Sequence, residues 1–226
     1  MFSDSFLYTE TKDQTSAIQD IYKDLLKTTP MTRLICGDVG FGKTEVALRA
    51  SFLATTNNKR VVVVAPTTIL ADQLFSVFKK RFSSFGVETS LVLRSEKNLE
   101  KKSKLFIKNK KNILLGTHLL LRQTNILSVC DLLIIDDEHR FGVKDKENIF
   151  SINPSCDVLM MSATPLPRTL QLSLSKIKSI SLLKKPPLSR KPIITNLYVF
   201  NEIVFKKIIY QEFLSGGQIY VVDNSV

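Results

Sequence analysis

The chain of 226 residues has no tryptophan, only two histidines, three cysteines and eight glycines. The cysteines, Cys36, Cys130 and Cys156, lack metal-ligand spacing, which excludes a zinc-ribbon or zinc-finger framework. Each borders an apolar run, so all three are expected as buried, reduced thiols. Long hydrophobic runs are missing too. The most apolar stretches, 61–65 and 132–135, fall far short of the roughly 18 residues of a membrane span. The start, MFSDSFLYTETKD, has no basic region followed by an apolar one, so no signal peptide is read and a cytoplasmic protein with no membrane partner is expected. Acidic residues are outnumbered, 21 against 32 Lys and Arg, leaving a net charge of +11. That balance suits a polyanionic partner, but lysine-rich composition alone is weak support.

What is present is a regular alternation. Short runs rich in Val, Ile and Leu at 33–36, 61–65, 89–93, 112–116, 132–136 and 157–162 read as strands. They are continuous rather than alternating, as expected where helices cover both faces of a sheet. Stretches at 13–27, 44–54 and 68–82 carry helical period, and Thr11 with Gln14 forms a capping-box pattern for the first. Strand and helix in turn predict an α/β fold with a doubly wound parallel sheet. KKPPLSRKP (184–192) breaks the pattern and reads as a linker. The domain reading is therefore residues 1–183, a linker at 184–192, and a further strand–helix–strand beginning over 193–226.

Three of the eight glycines lie in GDVGFGKT, residues 37–44. This is the full phosphate-loop pattern, placed after a strand and before a helix, the context that gives it meaning. Backbone N–H groups of Gly37, Asp38, Val39, Gly40, Phe41 and Gly42 would cradle phosphates at a helix N-terminus. Lys43 would reach the β- and γ-phosphates and Thr44 would ligate Mg²⁺. Such a loop needs a carboxylate at a neighbouring strand end, and LLIIDDEH (132–139) supplies Asp136.

These two motifs resemble those of superfamily 2 helicases and translocases. FLYTETKDQTSAI, CGDVGFGKTEVALRA, APTTILADQ, GTHLLL, DDEHRFGV, SATPLPRTL, KKPPLSR and GGQIYVVDN follow the order found in the bacterial transcription-repair coupling factors (Mfd); RecG-like helicases are the nearest rival. The resemblance spans essentially the whole chain. It implies a RecA-like fold whose cofactors are ATP and Mg²⁺, with Gln14 reading adenine and Phe6 beside the base. It implies that Thr67, Thr68, Thr117 and His118 hold double-stranded DNA by its phosphates, and that Ser162, Ala163 and Thr164 couple nucleotide state to DNA grip.

In this register Asp136 holds the metal, Asp137 stands where the family carries a catalytic Glu, and His139 completes the box. The base is thus one methylene short. Leu119 replaces a basic residue that the family carries after GTH. The arginine finger belongs to later motifs that residues 1–226 do not contain, and RNA polymerase contacts belong to regions absent from them. The expectation is ATP binding without efficient turnover by these residues alone. A nucleotide- and DNA-binding remnant without catalysis is the alternative.

Overall fold

The computed structural model describes residues 2–93, 99–137, 141–142, 149–163, 179–187 and 193–223. The chain divides into two units, Met1–Arg190 and Lys191–Val226.

The first unit is built on seven parallel strands: β1 (Thr32–Gly37), β2 (Val61–Val64), β3 (Glu88–Val92), β4 (Asn112–Gly116), β5 (Leu132–Ile135), β6 (Asp157–Ser162) and β7 (Ser179–Leu183). They lie in the order β3-β4-β2-β5-β6-β1-β7. Helices α1 (Lys12–Leu25), α2 (Lys43–Thr56), α3 (Thr68–Phe82), α4 (Leu99–Lys108) and α5 (Thr124–Leu127) accompany them. This is the doubly wound α/β architecture that the alternation predicts.

Strand period explains why β2 and β5, in the middle of the sheet, are apolar at every position. Val61 and Val63 of β2 enter one core with Ile21 of α1, Val46 of α2 and Phe78 of α3. Val62 and Val64 enter the opposite core with Phe106 of α4 and Ile126 of α5. Both faces of these two strands are covered, so a polar side chain without a partner would be costly on either. Each fully buried Val, Leu or Ile contributes roughly 1.5–3 kcal/mol.

Three elements escape a reading of the sequence alone. Strand β7 is short and only partly buried, so its apolar signal is weak. In α4 the lysines obscure the inward pair Ser103 and Phe106. Helix α5 has only four residues. In the second unit the expected helix is present at Glu202–Leu214, capped by the Asn201 side chain. The strands expected on either side of it are not: 193–200 and 217–223 carry no ladder among the described residues.

Because every strand runs the same way, all seven C-terminal ends reach one edge of the sheet. That edge is where open α/β sheets bind ligands.

Candidate functional site

Strand β1 delivers the phosphate loop to this edge. Gly40 and Gly42 take positive φ values of 79° and 80°, a region that L-residues with a Cβ avoid. Gly42 is also the N-cap of α2, so the loop's backbone amides lead into a helix N-terminus, the arrangement that attracts phosphate. A Cβ on Gly42 would lie 2.1 Å from Gln14 Nε2, so a larger residue would also push the Gln14 side chain off the loop. Lys43 Nζ donates to the carbonyls of Gly37 (2.6 Å) and Asp38 (3.1 Å), which holds the ammonium inside the loop. Burial pushes the Lys43 pKa down, and the carboxylates of Asp136, Asp137 and Asp38 oppose that shift.

Gln14 sits one turn into α1 and is buried. The capping box predicted with Thr11 is present: Thr11 N–H donates to Gln14 Oε1 (2.8 Å), and Gln14 N–H donates to Thr11 Oγ1 (3.2 Å). Gln14 Nε2 also donates 2.8 Å to the carbonyl of Phe41, tying the first helix to the tip of the phosphate loop.

Two strands away, β5 ends at Asp136, whose N–H donates to Val64 O of β2 (2.9 Å). The Asp137 N–H donates to Asp136 Oδ1 (3.1 Å). Burial raises the Asp136 pKa, and the charge of Asp137 raises it further; the Asp137 amide and Lys43 work against both. Asp137 itself lies in the left-handed region, φ 52°. His139 and Thr164 lie outside the described residues.

The donor set suits Mg²⁺, a hard cation that keeps several waters and takes one or two carboxylates plus phosphate oxygens. Thr44 and Asp136 are such oxygen donors. No group of three or more His, Cys, Asp or Glu among the described residues could form an all-protein metal cage.

Further along the same edge, Thr67 and Thr68 are exposed at the start of α3. The Thr67 hydroxyl accepts from Leu70 N–H (3.2 Å) as an N-cap, which leaves its O–H proton able to donate. His118 is exposed, Leu119 is half-buried and Thr117 is buried. Ser162, paired in register with Cys36 of β1, is buried, and Ala163 follows it half-buried.

Beside the phosphate loop lies a cavity of about 830 Å³ whose walls include Phe6, Tyr8, Gln14, Val77, Arg81 and Phe85. Phe6 and Gln14 thus share one cavity with Gly40 and Gly42 of the loop. The far wall was not legible in the sequence. Arg81 of α3 donates to Glu45 Oε1 (3.0 Å), and its guanidinium lies over the rings of Phe2 (4.9 Å) and Phe6 (5.6 Å). Glu45 also accepts from Arg49 Nε (2.8 Å), and Arg49 pairs with Glu10. Behind Arg81, Phe2 is buried and stacks on Phe52 at 4.2 Å. Its partners lie about fifty and eighty residues away, so no local pattern marks it.

Comparison with known proteins adds sequence-wide likeness to this geometry. Residues 11–172 match the DEAD/DEAH box helicase family. The chain is 45% identical over its whole length to the transcription-repair-coupling factor of Borreliella burgdorferi, of which it covers 20%. It is 46% identical, over 98% of its length, to a chloroplastic ATP-dependent DNA helicase of Arabidopsis thaliana, covering 27% of that protein. The structure of RecG bound to a three-way DNA junction superposes with a TM-score of 0.80 at 30% identity, over 96% of this chain and 29% of that one. The chain thus spans between a fifth and a third of the length of these relatives.

Proposed function

This chain belongs to the DEAD/DEAH box helicase family, and from that membership we propose that it is the ATP-binding motor segment of a transcription-repair coupling factor. In this reading Gly37 to Thr44 hold the triphosphate, Asp136 and Thr44 hold Mg²⁺, and Gln14 and Phe6 receive the adenine. Asp137 orients the attacking water. Thr67, Thr68, Thr117 and His118 grip duplex DNA by its phosphates, and Ser162, Ala163 and Thr164 pass nucleotide state to that grip. Phosphate contacts carry no sequence information, which suits a motor that must pass over any sequence. Action on stalled RNA polymerase falls to the rest of such a protein, and the cytoplasm is its expected location.

One observation carries the proposal. Lys43, with its ammonium held by the loop, faces the carboxylates of Asp136 and Asp137 at one sheet edge, beside a cavity whose wall includes Phe6 and Gln14. The choice of a coupling factor over a RecG-like helicase rests on identity, 45% against 30%. The reading without catalysis has its own support in the short side chain of Asp137 and its left-handed backbone.

Residues 1–226 are expected to bind ATP–Mg²⁺ in calorimetry, and Lys43→Ala to weaken binding at least tenfold, or about 1.4 kcal/mol. Retained affinity in the variant would sink the phosphate-loop assignment. Hydrolysis by the same residues is expected to stay flat on adding duplex DNA, because the arginine finger, worth about 10³–10⁵ in rate, belongs to later motifs. DNA-stimulated turnover would overturn that expectation.

A further inference from the structure

The net charge of +11 is not spread evenly. Residues 99–111 hold six lysines and a single acid, Glu100. In α4 they fall into a pattern. Ser103 and Phe106 face the core, and the Lys102 ammonium turns back to the Leu91 carbonyl at the end of β3 (2.5 Å). Lys101, Lys104 and Lys108 are exposed at intervals of three and four, the spacing of one helix face, and Lys110 and Lys111 are exposed just beyond the helix end. A groove of about 450 Å³ runs between Glu100, Lys101, Lys104, Leu105 and Lys108. None of Lys101, Lys104 and Lys108 has a carboxylate partner among the described residues.

We infer that this row is a second phosphate-binding track for duplex DNA, continuing the grip proposed at the sheet edge. The inference rests on the DNA-motor reading above.

Three features favour a nucleic-acid backbone over an acidic protein. The charges are collinear over about 10 Å of helix, seven residues at 1.5 Å each, which suits a linear polyanion. They are all lysines, point charges that hold phosphate without demanding one geometry. Topology supplies continuity. Helix α4 follows β3 and precedes β4, so it descends from the edge that carries Thr67 and His118 and runs beside the outermost strand. A duplex seated on that edge would have its backbone carried on along α4.

The test is fluorescence anisotropy with a labelled short duplex, using residues 1–226, as a function of salt. Each phosphate neutralised contributes about 0.9 to the slope of log affinity against log salt, so replacing three lysines should flatten it by about 2 to 3. The ladder variant is Lys101→Gln, Lys104→Gln and Lys108→Gln together. The control, Lys23→Gln, Lys206→Gln and Lys207→Gln, removes the same charge elsewhere and should leave the slope unchanged. ATP affinity should be equal in all three proteins, which shows that the folds are intact.

An equal slope in the ladder variant would overturn the track while leaving DNA binding at the sheet edge standing. Equal flattening in the control would reduce the effect to net charge and overturn it as well. Loss of polyglutamate binding by the ladder variant, with duplex binding unchanged, would assign the row to an acidic protein. If the unaltered chain binds ATP but no duplex, the DNA reading and the track fall together and the nucleotide site remains.

Discussion

Asp137 combines a short side chain with a left-handed backbone, φ 52°. Asn and Asp are the non-glycine residues best suited to that region, because their short polar side chains hydrogen-bond locally, whereas Glu has no such compensation. The missing methylene and the backbone are therefore connected. Asp137→Glu is expected to raise kcat in a complete coupling factor carrying this motor, by bringing the carboxylate within about 2.6–3.2 Å of water. The same change should lower the unfolding temperature slightly, through a left-handed penalty of up to about 1–2 kcal/mol. A rate that stays level or falls would mean that the aspartate already reaches. At this scale the sequence is highly legible where a motif is contiguous: the places of Gly37 to Thr44 between β1 and α2, and of Asp136 after β5, can be read from order alone. Arg81, Glu45 and Phe2 cannot, because each gains its role from residues tens of positions away.

At the scale of elements, α1, β1 and β7 are joined by a buried ion pair rather than by apolar contact alone. Arg33 of β1 donates to Asp24 of α1 (2.7 Å) and to Ser181 of β7 (2.7 Å). Burial pushes the Asp24 pKa up, but hydrogen bonds from Lys27 and Arg33 outweigh it and leave the carboxyl below its ordinary value. Arg33→Ala should destabilise by about 3 kcal/mol, the lower end for orphaning a buried charge, since Lys27 remains. The sign with pH follows from the lowered pKa. The stabilisation is complete above the unfolded value of about 3.9 and is lost as pH falls through the lower folded value. Thermal melts should therefore show the gap between wild type and Arg33→Ala wide at neutral pH and closing only in strong acid. A gap that does not change with pH would remove the carboxylate from the account. Most strands legible in the sequence are buried on both faces, and the edge strand β3 is legible through its buried end, Leu91 and Val92. Strand β7, held partly through polar links to α1, leaves no such mark.

For the molecule as a whole, strand order separates neighbours in sequence from neighbours in space. Strands β2, β3 and β4 pair among themselves within residues 61–116. Strand β1 does not join them. Its ladder partners are β6 and β7, with Thr32 opposite Val158 and Arg33 opposite Ser179. A chain cut after Cys156 would retain the whole GDVGFGKT motif and Asp136, yet is expected to show no ATP binding by calorimetry. Full affinity in that truncation would show that the loop is organised locally.

The pairing of β1 also has a temporal side. Chains emerge from the ribosome at about 5–20 residues per second, and distant pairings must wait for both partners. Within this sheet, the strand that carries the nucleotide loop is made before the other six but can be flanked only after residues 157–183 exist. For those seconds of synthesis, the segment with the most recognisable motif has no bordering strand on either side. The nascent protein would then be blind to ATP until β6 and β7 have left the exit tunnel.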